Sequence, residues 1–517
     1  MGLPAFLSGA IMKQSILQRC LGWAFATLIV NLFLLAVPTA AQNNYDIVIA
    51  NGRVMDPETG LDAIRHVGIR GQSIVAISKE PLQGQTVVDA TGLVVAPGFI
   101  DLHAHGQSAR ANDFQAMDGV TTALELESGV IDMQSFFARR EGEAVINYGA
   151  SIAHAGLRTW AMPEYADDFS EAVADVRESG QTDPETWFRL YGVAEQGIYE
   201  ELDSQHYPEL WQRMEAGLQG GALGIGMPHQ YYPGASYDEI FRLFQFAAEI
   251  EAPIYTHVRD MGIAPMQEVV ANAVATGASL HIVHMNSSSL WDYQTNLDLI
   301  LGAQERGADI TTEAYPYTAA STSIQSAIFD DGWQENLRIS YEDLQWQDTG
   351  ERLTEKTFNE YREEGGVLII HMMKPEWIQA VMADPRVMVA SDGMPYAPGA
   401  HPRSAGTFSR FLGRYVREQG VLPLMDGLRK ITLMPAERLA EIAPQMKRKG
   451  RLQLGSDADI TIFDAAHIID TAGFENDLSY SEGVEFVLVN GQFVVRDGAL
   501  VDGARPGQAV LGRLVVF

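Results

Sequence analysis

Asp101-Leu102-His103-Ala104-His105 closes an apolar run that follows Pro97-Gly98, with histidines at i and i+2. On a strand such positions face the same way, so both imidazoles can turn toward one point. Converging neutral imidazoles suit Zn2+ and similar divalent cations. Alone, an H-x-H pair is more often two surface histidines, but three further positions change the balance. His257 ends a second apolar run in Thr256-His257, His284 ends the next, 27 residues later, and Asp392 lies in Ser391-Asp392-Gly393. The spacing from His257 to His284 fits one strand-helix unit. Four histidines and an aspartate on four strand ends are hard to explain structurally, because burying such groups is costly without partners. They predict a divalent-metal site.

One ligand is missing from that set, since two cations held side by side need an anion between them. Residues 106–256 contain no lysine, and the single cysteine, Cys20, precedes the folded chain. The bridge should therefore be a carboxylate. Glu125 and Glu127 lie two apart on one run, on the same side of a strand. Glu127, nearer the open end, is preferred as the ligand, with Glu125 as its neighbour or the alternative bridge. Bound metal brings the pKa of water toward about 7. Asp392 is placed to take the proton from that water and pass it to a leaving nitrogen. Arg403, 11 residues further on, suits a bidentate clamp on a carboxylate. His154 and Arg158, past another strand, either bind substrate or tie the mouth of the fold together.

The elements that must position these residues read as follows. GFIDLHAH, TTALELE, GASIAHA, GALGIGM, APIYTHV, LHIVHMN, DITTEAY and VMVASDG are apolar runs separated by helix-like stretches. That alternation predicts an α/β fold, a (β/α)8 TIM-like barrel over residues 99–444, whose polar strand ends gather at the C-terminal mouth. Residues 42–98 and 445–517 are β-rich, with Asn51-Gly52 and Asn490-Gly491 as turn signals. They predict one small β-sandwich made from both ends of the chain. Residues 330–366, polar and rich in charge and Trp, read as an insertion that could cover the site.

The 517 residues are 46% hydrophobic and 20% charged, an ordinary globular composition. Lys13 and Arg19, an apolar run over 21–37 and Pro38-Thr39-Ala40-Ala41 read as a signal peptide, residues 1–41, with a retained anchor as the alternative. Its removal would take Cys20 away and move the net charge from −31 to −33 by the loss of two basic residues. The expected location is periplasmic or secreted. So acidic a chain should avoid nucleic acid and anionic surfaces, and no stable membrane insertion is expected after signal removal.

Several of these segments together resemble a known family. G-F-I-D-L-H-A-H, D-G-V-T-T, H-A-G-L-R, Y-T-H-V-R-D, A-Y-P-Y-T-A-A-S-T, S-D-G-M-P and H-P-R-S-A-G-T-F-S-R are similar, in order, to the D-aminoacylases, the N-acyl-D-amino-acid deacylases of the amidohydrolase superfamily. L-x-K-I-T-L-M-P-A-E-R-L and G-S-D-A-D-I-T-I-F-D continue the likeness toward the C-terminus. The resemblance implies the same barrel and sandwich, one or two divalent ions, and ligands at His103, His105, His257, His284 and Asp392. It implies a substrate carboxylate held by Arg403, Tyr315 and Ser321. The chain departs from the pattern at Glu127, where related sequences carry a cysteine at this strand end, and at Asn286, where a lysine is frequent.

The expected activity is hydrolysis of a linear amide, deacylation of an N-acyl-D-amino acid. The alternatives are cyclic amide, imide or dipeptide hydrolysis at the same centre, and a metal-binding homologue without catalysis.

Overall fold

The computed structural model describes residues 44–179 and 184–516. The expected signal peptide lies outside them. Strands from both ends of the chain form one sheet of nine. Asn44–Asp56, Leu61–Arg70, Ser73–Ser78, Gln83–Asp89 and Val94–Pro97 come from the N-terminal side, and Ile460–Phe463, Val484–Val489, Gln492–Arg496 and Ala499–Leu500 from the C-terminal side. The two contributions meet where Val94–Pro97 runs antiparallel to Ile460–Phe463. Asn490 and Gly491 both take positive φ, 49° and 77°, in the hairpin that the Asn-Gly pair predicts.

Eight parallel strands make the second sheet: Phe99–Asp101, Val120–Val130, Asn147–Ala153, Ile225–Pro228, Ile254–His257, Leu280–Ile282, Ile310–Ala314 and Met388–Val389, paired in chain order. Each overlaps one of the eight apolar runs seen in the sequence. A bridge between Ala104 and Gly393 and a hydrogen bond from Asp392 N–H to the His103 carbonyl (2.8 Å) bring the last strand end back to the first. Asp101 locks this seam, accepting from Ser391 N–H at 3.0 Å and from Ser391 Oγ at 2.5 Å. Ile100, Leu102, Leu124, Tyr255, Val283 and Met388 share one buried cluster. They come from strands that are not all neighbours in the sheet, so they can meet only inside a closed barrel.

The excursion before the last strand is wider than residues 330–366. It includes an antiparallel sheet of Ala320–Ser323, Leu344–Trp346 and Val367–Ile370. It has its own core, with Phe329, Trp333, Trp346, Phe358 and Leu368 buried together. Its first strand, A-S-T-S, lacks apolar alternation and so gives no strand signal. Among the described residues no helix is long and apolar enough to cross a membrane.

Candidate metal centre

The strand ends deliver the site because the chain there leaves regular geometry. His284 (φ 31°) and Asp392 (φ 52°) are both non-glycine residues with positive φ, conformations that persist where surrounding contacts impose them. The second strand loses its register with the third between Glu125 and Val130. Such a bulge re-aims side chains. Gly226 makes room for it: a Cβ there would lie 2.5 Å from the Glu127 carbonyl.

Glu127 stands at the centre, 3% exposed. Its Oε2 lies 3.2 Å from His103 Nε2 and 3.1 Å from His105 Nε2. Its Oε1 lies 3.1 Å from His257 Nδ1 and 3.2 Å from His284 Nε2. One carboxylate therefore spans two imidazole pairs. Asp392 Oδ1 joins the first pair, 3.4 Å from both His103 Nε2 and His105 Nε2. Donor atoms of His103, His105 and Asp392, and those of His103, Glu127 and His284, lie within 4.8 Å of one another.

Behind each histidine is a partner that fixes the nitrogen it offers. His103 Nδ1 faces Glu313 Oε1 at 2.9 Å, and the same oxygen accepts from His284 N–H at 2.8 Å. His105 Nδ1 faces Glu125 at 2.9 Å, His257 Nε2 faces Gln230 Oε1 at 2.7 Å, and His284 Nδ1 faces Ser288 Oγ at 3.1 Å. With Nδ1 donating to Glu313 and Glu125, the Nε2 lone pairs of His103 and His105 are turned on each other at 3.2 Å. A cation between them removes that conflict. The electrostatics agree. Burial opposes charge on His103, yet in the absence of a cation Asp392 and Glu127 push its pKa up to about 10, so the negative field that would hold a metal there otherwise draws a proton onto the ring. Burial alone would raise Asp392, but the Arg403 and His103 charges hold it far below the usual carboxylate range. The donor set fits one or two divalent ions.

The residues expected to hold a carboxylate gather beside this centre. Arg403, 2% exposed, places Nη1 2.8 Å from Asp392 Oδ2, Nη2 3.3 Å from the Ser321 carbonyl, and its guanidinium carbon 4.8 Å from the centre of the Tyr315 ring. The Nη1 contact is close but poorly aligned as a hydrogen bond. Arg403 Nε and Nη1, the Tyr315 hydroxyl and Ser321 Oγ are all buried without a hydrogen-bond partner. Arg403 Nη1 keeps its ion pair with Asp392, but native structures seldom leave even one of the other three groups without a partner.

His154 is placed differently from its expected contact with substrate. It is fully buried, with Nδ1 3.0 Å from the Tyr232 hydroxyl and Nε2 3.4 Å from Glu239. Tyr232 lines the cavity, and His154 stands behind it. Arg158 is bound to Glu239 at 2.9 Å and to the carbonyls of Gly197 and Glu200, so it ties the barrel mouth together. Asn286 is also structural, bonded to the backbone of Tyr315 on both sides of its amide. Sequence reasoning missed Glu313, Gln230 and Ser288. Only Glu313 carried a signal, as a carboxylate inside an apolar barrel strand that must find a partner when buried.

A cavity of about 440 Å3 opens on the centre. Asp392, Glu127, His257, His284 and Ser321 line it, together with apolar residues that include Ile131, Ala155, Ile198, Met261, Ile328 and Met372. A larger groove, about 960 Å3, lies among Pro253, Ser279, Asp309 and Arg438 near the opposite strand ends and carries none of the site residues.

A closed parallel barrel with such a centre at its C-terminal mouth defines a barrel hydrolase of the kind that uses bound metal. The model of the amidohydrolase family matches residues 86–495. The chain belongs to that family and is a hydrolase of amide bonds. It is 28% identical to the D-aminoacylase of Alcaligenes xylosoxydans xylosoxydans, over 88% of this chain and 95% of that protein. It is also 28% identical to the N-acyl-D-glutamate deacylase of the same organism, over 87% and 93%. Among solved structures, the N-acyl-D-glutamate deacylase from Bordetella bronchiseptica, complexed with zinc and a phosphonate inhibitor, superposes with a TM-score of 0.74 at 24% identity, covering 91% of this chain and all of that one. A D-hydantoinase structure shares the fold at a TM-score of 0.58 and 15% identity.

Proposed function

We propose that the protein removes the acyl group from N-acyl-D-amino acids, with zinc or a similar divalent ion held by His103, His105, Glu127, His257, His284 and Asp392. The observation that carries this reading is the cradle of unsatisfied groups on Arg403, Tyr315 and Ser321 beside Asp392. A guanidinium and two hydroxyls can satisfy a carboxylate there, and the amide next to that carboxylate then lies against Asp392. The deacylases among its relatives supply the substrate class.

Bound metal supplies a nucleophilic water at neutral pH and polarises the amide carbonyl. The chain's own residues do the rest. Glu127 links the two imidazole pairs and keeps them in register. Asp392, held ionised beside Arg403, accepts the proton of the attacking water and returns it to the leaving nitrogen. Arg403, Tyr315 and Ser321 fix the substrate so that its carbonyl cannot slide away from Asp392. The apolar wall, with Ile131, Met261 and Met372, excludes water and receives the acyl chain or an apolar side chain.

The test pairs metal content with acetate release from N-acetyl-D- and N-acetyl-L-amino acids. About two metals per chain and turnover of the D series support the reading. Metal without such turnover, but with opening of a cyclic amide, would transfer the function to that reaction. Export is part of the same proposal, supported by the basic, apolar and small-residue pattern of residues 1–41. Amino-terminal sequencing of the protein from the periplasm or medium tests it, and a chain retained in the cytoplasm with its first residues intact would refute it.

A further inference from the structure

The metal centre faces two cavities. Besides the apolar one, a cavity of about 660 Å3 opens beside His105 and Glu125, and the two share His105, Ser128, Gly129 and Tyr191 in their walls. Their chemistry differs. Among the described residues the first is lined by no lysine or arginine, whereas the second is lined by Arg139, Arg140 and Arg505.

These guanidiniums arrive from two remote segments. Arg139 and Arg140 follow the helix Met133–Ala138. Arg505 is carried in by the C-terminal segment, which is stitched to the barrel by Gly507 N–H to the Ala144 carbonyl (2.9 Å) and Val510 N–H to the Tyr148 carbonyl (2.7 Å). Arg140 lies 3.9 Å over the Phe136 ring and donates to the carbonyls of Phe136 (3.0 Å) and Gln107 (3.3 Å), while its buried Nε has no partner. Arg505 donates to the carbonyl of Ala504. Neither forms an ion pair with a carboxylate among the described residues. Glu125, in the same wall, is already engaged by His105, and Glu143 is exposed. In a chain of net charge −31, two cavity-lining arginines, Arg140 and Arg505, without a carboxylate partner among the described residues are not what composition predicts. Burial and the like charge of Arg139 lower the Arg140 pKa to about 10, the direction expected of a cation that lacks its counter-charge.

We propose that this second cavity is a carboxylate site serving the metal centre, taking either the carboxylate that amide hydrolysis releases or a second carboxylate carried by the substrate. The inference rests on the amide-hydrolase reading of the centre. A guanidinium pairs with a carboxylate through two parallel N–H bonds, and the wall shared with His105 puts such an anion next to the reacting groups.

Equilibrium dialysis of radiolabelled acetate against the metal-loaded full chain tests it, with Arg505→Gln and Arg140→Gln alongside. Arg505 is exposed, so its replacement leaves the fold intact and keeps the test valid if Arg140→Gln destabilises the helix end. Loss of one charged pair weakens acetate binding about tenfold. Acetate held by the metal centre alone would not respond to Arg505. Unchanged affinity in both variants overturns the proposal. Given weaker acetate binding, kcat/KM separates the sources. A loss confined to N-acetyl-D-glutamate, with N-acetyl-D-leucine unaffected, assigns the site to the substrate's second carboxylate, and no loss on either assigns it to the product. Dialysis reads binding and not turnover, so an inactive protein that still binds acetate through Arg505 would count against the proposed deacylation alone.

Discussion

Glu313 does two jobs with one oxygen, orienting the His103 ring and holding the backbone of His284. Partners of this kind set both the tautomer and the basicity of a metal-binding imidazole. Glu313→Gln should therefore weaken metal affinity by about 10- to 100-fold with little change in fold, read by competition with a chelator. Glu127→Ala removes the one carboxylate that, among the described residues, touches both imidazole pairs, and metal content should fall to one ion per chain or less, measured by atomic emission. Arg403→Met should raise KM for N-acyl-amino acids by well over tenfold, because a charged bond to a buried carboxylate is worth about 2–5 kcal/mol. An unchanged KM would detach the carboxylate from Arg403.

At the scale of elements, the excursion between the seventh and eighth barrel strands behaves as a unit with its own core. Phe358 packs against Trp333 with ring centres 5.3 Å apart and is 4% exposed. Phe358→Ala should cost about 3–5 kcal/mol of local stability. Ser321, in that small sheet, and Met372, just past it, line the site cavity, so loosening the sheet should raise KM while metal content stays the same. Limited proteolysis, with cuts confined to residues 320–370, would show that the effect is local. Much of this organisation was open to sequence reading, because eight apolar runs with polar ends specify a barrel and its active face. The small sheet was not, since A-S-T-S and the three-residue Leu344–Trp346 carry no periodicity and the apolar Val367–Ile370 is too short to read alone.

Across the whole molecule, several histidines away from the centre are buried neutral. Burial holds His154 at about 3, and burial with the Arg403 charge holds His401 well below its ordinary value. Unfolding exposes these rings to an ordinary pKa of about 6.5. Below that pH the unfolded chain binds protons that the native chain refuses. Stability is then full above pH 6.5 and is lost as pH falls toward the native values. Each such ring contributes a slope of up to about 1.4 kcal/mol per pH unit. Urea midpoints at pH 7.5 and 5.5, at equal metal loading, should show this loss, and His154→Asn should make the slope shallower by one proton. An equal slope in both proteins would mean that His154 is protonated in the native state.

The sequence by itself determined the barrel and which residues stand at the strand ends, because side-chain alternation and the cost of burying polar groups act locally along each strand; it marked both chain ends as β-rich, and the structure joins them in one nine-stranded sheet where a sandwich was expected. It also narrowed the bridging anion to a carboxylate, since the relevant stretch held no lysine and the folded chain no cysteine. Only the tertiary structure decided that Glu127, and not Glu125, faces all four imidazoles, for that choice depends on a bulge and on the close approach of Gly226 from another strand. It alone placed His154 behind Tyr232, joined Glu313 to two histidines, and set Arg403, Tyr315 and Ser321 around one unsatisfied cradle. These are contacts between residues up to 210 positions apart in the chain, and local pattern carries no record of such pairings.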